Sequence, residues 1–124
     1  IVNISSVAGF SPLIGRTAYA ASKHAMHGFF DTLRAELADK QVHVMLVSPQ
    51  FIKTNIRNTQ QQAVEDNPLT SEYAARKILT GIVKKKRFLA VGKTAIFAWW
   101  INKIFPQLYE KLMIQNQKKK FSQL

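Results

Sequence analysis

A tyrosine and a lysine stand four residues apart in the run Tyr19-Ala20-Ala21-Ser22-Lys23. The alanine-rich setting predicts a helix, and at about 3.6 residues per turn positions i and i+4 share one face. An ammonium held under a phenol favours the phenolate electrostatically. A phenol in that setting can take or give a proton near neutral pH. Two hydroxyls, Ser5 and Ser6, follow a short apolar run, Ile1-Val2-Asn3-Ile4, that ends as a strand would. A strand-end serine, a tyrosine and a lysine make a proton-transfer site for an alcohol or a carbonyl. Neighbouring strand residues point to opposite faces, so periodicity alone leaves Ser5 and Ser6 as alternatives. In open α/β sheets the ligand crevice lies outside the carboxyl ends of the strands, where this pair falls.

The elements that must position these groups follow in order. Ile1 to Ser5 predicts a buried parallel strand. Val7 to Arg16 is a loop broken by Gly9, Pro12 and Gly15, with apolar Phe10, Leu13 and Ile14 either walling a substrate or capping the core. Thr17 to Ala38 predicts a long helix with Thr17 as N-cap. Its helically spaced Ala21, Ala25, Gly28, Phe29, Leu33 and Leu37 permit close approach to the sheet or to a second subunit. His24 and His27 are expected at the surface or an interface; no third metal ligand stands at suitable spacing. Val42 to Val47 predicts a second buried strand, followed by Ser48-Pro49-Gln50-Phe51-Ile52-Lys53-Thr54. Asn55 to Leu69 is polar, with Gln60, Gln61 and Gln62 in a row. Thr70 is placed to cap a helix with Glu72 in its first turn. Phe88 to Val91 predicts the last strand, closed by Gly92.

The chain has 124 residues, enough for one modest core. There is no cysteine, hence no disulfide or thiolate chemistry. The formal charge is +11, from 18 basic and 7 acidic residues, and after Glu72 the only acid is Glu110. A basic half implies an anionic partner such as membrane lipid or a phosphorylated cofactor. No aromatic-basic RNA motif accompanies it, so nucleic acid is set aside. Thr94 to Lys120 carries a strongly apolar face through Ile96, Phe97, Trp99, Trp100, Ile101, Ile104, Phe105, Leu108, Leu112 and Met113. Pro106 should break that helix, and Ala95 to Ile101 is too short to span a bilayer. The expectation for residues 95–120 is either peripheral membrane contact or packing against protein.

The segment Ile1-Val2-Asn3-Ile4-Ser5-Ser6-Val7-Ala8-Gly9, followed by Tyr19-Ala20-Ala21-Ser22-Lys23, resembles the active-site region of the short-chain dehydrogenase/reductase family. A tyrosine and lysine at this spacing alone is a weak signal. With N-I-S-S-x-x-G upstream and Ser48-Pro49 leading to Thr54 downstream it becomes specific. The resemblance extends to about Gly92. It implies an α/β fold, the C-terminal half of a Rossmann-type doubly wound parallel sheet, over 1–92, with an apolar-basic helical extension over 93–124. The family's glycine-rich phosphate loop and its Asn-Asn-Ala-Gly segment belong to a first half that is not in this sequence.

The resemblance further implies an NAD- or NADP-dependent oxidoreductase acting on an alcohol or ketone. It selects Ser6 to bind the substrate oxygen, Tyr19 as the acid/base and Lys23 to tune Tyr19 and hold the nicotinamide ribose. Pro49, Ile52 and Thr54, with Tyr19 and Lys23, would contact the cofactor. Gln50 replaces the usual glycine, which questions the turn geometry there. The polar stretch after Thr54 would be a substrate-covering lid. Phe10, Leu13, Ile14 and Phe51 point to an apolar, lipid-like substrate. The long helix would join a homo-oligomer interface when the protein is full length, and the location would be cytoplasmic or peripheral to a membrane. The fragment alone is expected to be inactive. A competing expectation is a non-catalytic, membrane-associated or scaffold protein that keeps the fold; the intact Ser6, Tyr19 and Lys23 speak against it.

Overall fold

The computed structural model describes residues 1–54 and 68–121. One sheet holds three parallel strands in the order β1 (Val2–Ile4), β2 (Met45–Pro49) and β3 (Phe88–Val91). Ile4 lies opposite Val47, and Val47 opposite Leu89. Parallel neighbours need crossover connections. Helix α1 (Thr17–Glu36) lies between β1 and β2, and α2 (Ser71–Val83) precedes β3. Two further helices, α3 (Lys93–Ile104) and α4 (Pro106–Phe121), follow the sheet. The class is α/β, as expected.

Alternation along the strands sorts side chains to two faces. On one face Met45, Val47 and Val91 close with Ala74 of α2 into a buried core, with Ile52, Leu69, Ile78 and Leu89 packed against it. A Cβ at Gly81 would stand 3.0 Å from Leu89 Cδ2 and 3.2 Å from Met45 Sδ, so α2 comes close to the sheet there. On the other face Ser48 and Phe88 meet His27 of α1, and Phe88 also meets Trp99 of α3. The central strand β2 is buried along its whole length.

Several boundaries move. The first strand is Val2–Ile4 rather than Ile1 to Ser5, although the Ser5 N–H still donates to the Val47 carbonyl at 2.8 Å. The second is shifted to Met45–Pro49, because pairing decides its ends: Met45 is opposite Val2 and Pro49 opposite Val91. Val42 lies beyond both neighbours and is 39% exposed. Thr17 is not the N-cap of α1. Gly15 at φ +77 turns the chain, Arg16 caps with no side-chain bond, and Thr17 is already helical. The helix ends at Glu36, two residues short of Ala38, and the Leu37 N–H returns to the Leu33 carbonyl.

Of the helically spaced residues expected to approach the sheet or a second subunit, only Leu33 and Leu37 turn inward. Met26, His27, Phe30, Leu33 and Leu37 turn inward, while Ala21, Ala25, Gly28 and Phe29 are exposed. Arg34 ties this helix to the strands, donating from Nε to the Val44 carbonyl at 2.9 Å and from a terminal nitrogen to the Arg87 carbonyl at 3.2 Å. Thr70 caps α2 as expected, its Oγ1 accepting from the Tyr73 N–H at 3.2 Å. Phe88–Val91 is the last strand, and Pro106 starts a new helix after a break at Phe105. No helix among the described residues is long and apolar enough to cross a membrane.

Candidate active site

Ser6 lies two residues beyond the first strand and caps a short 3₁₀ turn, Val7–Gly9. Its backbone is extended, and its Oγ accepts the Ala8 N–H at 3.2 Å. A hydroxyl used as an acceptor keeps its own O–H to donate. The turn packs against α1. Ser5 is buried, and its Oγ has no hydrogen-bond partner among the described residues. A Cβ at Gly9 would lie 2.8 Å from Ser5 Oγ and 2.3 Å from His27 Nε2. Glycine is required where the turn crosses these two side chains.

Tyr19 lies in the first turn of α1 and is 42% exposed. One turn on, Lys23 Nζ stands 5.7 Å from the centre of its ring. The ammonium donates to Met26 Sδ at 3.6 Å, a weak acceptor, and forms no ion pair among the described residues. The fixed rise of the helix brings the phenol and the cation together. The turn capped by Ser6 lies against the same helix.

Pro49 is buried at the carboxyl end of β2, paired with Val91. Beyond it Ile52 makes a parallel bridge to Leu69, with the Lys53 N–H donating to the Leu69 carbonyl at 2.9 Å and the Leu69 N–H to the Phe51 carbonyl at 3.0 Å. Thr54 closes this described stretch, and it is partly buried. The lid expected after it lies outside the described residues from 55 to 67. Gln50 does not take the positive φ that glycine permits; among the described residues those φ values belong to Gly15, Gln41, Lys85 and Gly92. Its side chain turns instead to α3, where Oε1 accepts the Thr94 N–H at 3.1 Å.

His27 was expected at the surface or an interface, and it is half-buried between α1 and the sheet. Its Nε2 is 3.3 Å from Ser48 Oγ, and its ring packs against Phe10 and Phe88. Burial pushes its pKa below the ordinary histidine value; Asp31 opposes that shift and His24 adds to it. Phe10 belongs to this ring cluster, 5.1 Å from Trp99, so of the loop's apolar residues it caps the core. Ile14 remains exposed. Trp99 stacks on Phe88 at 4.0 Å, whereas Trp100 is 58% exposed. The tail's tryptophans thus divide between packing and solvent.

The donors present suit a dinucleotide's nicotinamide end. Lys23 offers N–H groups that no acid neutralises among the described residues, and Tyr19 offers an exposed phenol beside it. Both fit ribose hydroxyls.

The sequence profile described as short chain dehydrogenase matches residues 1–65. The dehydrogenase/reductase SDR family member 7B of Xenopus tropicalis is 34% identical over 130 residues, covering 96% of this chain and 42% of that protein. A protein 7-like of the same SDR family from Drosophila melanogaster is 34% identical, covering 89% and 37%. The chain therefore spans about two fifths of the curated relatives it matches. Among solved structures, a Burkholderia cenocepacia short chain dehydrogenase in complex with NADP aligns with a TM-score of 0.81 at 22% identity, over 91% of this chain and 46% of that one. Acetoin dehydrogenase from Enterobacter cloacae aligns with a TM-score of 0.64 at 26% identity, over 79% and 43%. The fold is thus that of the Rossmann-type enzymes, and short-chain dehydrogenases work with NAD or NADP. With a family profile over more than half its length and the strand, turn and helix that such enzymes build, the chain belongs to the short-chain dehydrogenase family.

Proposed function

We propose that the whole protein carrying this chain reduces or oxidises an alcohol/carbonyl pair with NAD(P), through Ser6, Tyr19 and Lys23. The observation that carries this reading is the Tyr19–Lys23 pair, a phenol and an ammonium one helical turn apart beside the Ser6 turn. In reduction Tyr19 gives its proton to the substrate oxygen, and in oxidation its phenolate takes one. The free O–H of Ser6 donates to the same oxygen and stabilises the charge that develops there. Lys23 holds positive charge beside the phenolate and binds the ribose, while Pro49, Ile52 and Thr54 frame the nicotinamide. The cofactor, when bound, supplies or accepts the hydride.

Exposed Ile14, with Leu13 and Phe51, favours an apolar substrate. The exposed side of α1, where Gly28, Phe29, Thr32, Leu33 and Glu36 line a groove of about 300 Å³, suits a second copy of the chain. The division of residues 1–92 from 93–124 is kept as part of this proposal. For the tail a membrane contact is favoured by exposed Ile96, Phe97, Trp100, Ile104, Phe105 and Leu108 on and beside α3. Lys103 and Lys111 accompany them, and Glu110 is the only acid from residue 93 onward. That surface complements anionic lipid.

The test is cofactor-dependent turnover by the whole protein on a panel of apolar ketones and alcohols. Wild type should show NADH- or NADPH-linked turnover, and Ser6→Ala should lose about 100-fold in kcat, the usual effect of one donor to the developing charge. A Ser6→Ala rate equal to wild type would remove Ser6 from the chemistry.

A further inference from the structure

We propose that α3 and α4 are a brace that fixes the loop leading into Tyr19 and the loop that follows β2, with Gln50, Asn102 and Tyr109 as positioning residues; this rests on the oxidoreductase reading above. Three polar contacts cross from the tail to those loops. Tyr109 OH is 2.8 Å from Ser11 Oγ in a buried contact between residues 98 positions apart. Ser11 Oγ also bonds the Pro12 carbonyl, which leaves the tyrosine to donate. Burial pushes the Tyr109 phenol's pKa up, with the Ser11 bond opposing, so the hydroxyl keeps its proton. Asn102 Nδ2 donates to the Phe10 carbonyl, and Trp99 presses its ring on Phe10 at 83°. The third contact is Gln50 Oε1 with the Thr94 N–H.

Their targets are not scattered. Phe10, Ser11 and Pro12 lie between the turn capped by Ser6 and the first turn of α1, which carries Tyr19. Shifting this short connection moves the substrate-oxygen donor relative to the acid. Gln50 stands just before Phe51 and Ile52, on the loop assigned to the nicotinamide. A glycine in its place has no side chain to reach α3. The helix needs that acceptor, because its N-cap is Gly92, which has no capping group. Gly92 in turn makes room, since a Cβ there would lie 2.1 Å from Gln50 Oε1. Gln50 and Gly92 are a matched pair, so the glutamine at the family's glycine position is a fastening. Small misplacements of positioned groups cost large factors in rate, which gives such fastenings a catalytic effect.

The whole protein should be compared with its Tyr109→Phe, Asn102→Ala and Gln50→Gly variants by hydrogen exchange and by steady-state kinetics. Tyr109→Phe keeps the ring and removes only the hydroxyl. Tyr109→Phe and Asn102→Ala should each speed exchange in residues 7–16 by about fivefold, the factor for one ordinary hydrogen bond. Gln50→Gly should do the same in 49–54. Each should lower kcat/KM by at least the same factor, while exchange in α2 stays unchanged. Ser11→Ala added to Tyr109→Phe should cost less than Ser11→Ala alone, because the shared contact is already lost and only the Ser11–Pro12 bond remains to remove. The brace is refuted as a positioning device if these variants lower the melting temperature yet leave exchange in both loops and kcat/KM unchanged. It is refuted equally if Ser11→Ala and Tyr109→Phe act additively. If wild type turns over no substrate with either cofactor, the functional reading fails, and loop exchange alone then decides the brace.

Discussion

Tyr19 and Lys23 owe their proximity to local geometry, whereas His27 owes its place to docking. An i, i+4 pair on a helix is a neighbour whatever the helix packs on, so the site's phenol and cation were legible in the sequence. Which stripe of α1 faces the sheet is decided by tertiary contact. Ala21, Ala25 and Phe29, for which the sequence left sheet and second subunit open, are exposed. His27 sits on the inner stripe, between Gly9, Ser48, Phe10 and Phe88. No periodicity marks it; its one sequence signal is the i, i+3 and i+6 relation to Phe30 and Leu33. Because burial holds its pKa below the unfolded value, the unfolded chain takes up the proton first. Stability is then full above the ordinary histidine pKa of about 6.5 and falls as pH drops below it towards the depressed value. Melting temperatures of the whole protein at pH 7.5 and 5.5 should show this fall, and His27→Gln should reduce it. Equal falls in both proteins would place the acid sensitivity elsewhere.

At the scale of elements, the sequence showed where strands and helices stand better than where they begin. Phe88–Val91 and the Thr70 cap agree to the residue because a glycine and a hydroxyl mark them. The ends of β2 depend on the reach of β1 and β3, which lie 40 residues away on either side and leave no local mark. The tail's adjacent tryptophans show the same limit: Trp99 stacks on Phe88 and meets Phe10 edge to face, while Trp100 faces out. Trp99→Ala should cost about 3 kcal/mol of stability, as for a large aromatic lost from packing. Trp100→Ala should change stability by no more than about 0.5 kcal/mol, as at other exposed sites. Membrane contact predicts that the whole protein floats with anionic liposomes at low salt and that Trp100→Ala floats much less. Lysines near the surface would each add about 1 kcal/mol, lost as salt rises. Wild type remaining at the bottom of the gradient would end the membrane proposal.

For the whole molecule, the proposal gives this chain the acid/base residues of a dinucleotide enzyme. It spans 42% of its Xenopus relative, and no glycine-rich phosphate loop occurs in its sequence. β1 is an edge strand among the described residues, with Val2 and Ile4 exposed. An apolar edge of this kind invites association. By itself the chain should bind neither NADH nor NADPH with micromolar affinity, as measured by titration calorimetry; such affinity would contradict the assignment. The catalytic assignment rests in the end on one proton. In the whole protein, Tyr19→Phe should keep NAD(P)H affinity within about threefold of wild type, because the phenol adds no more than one ordinary hydrogen bond to the ribose. It should also lower kcat at least about 100-fold, the lower bound for losing a positioned acid. Half the wild-type turnover surviving in Tyr19→Phe would contradict the role given to Tyr19.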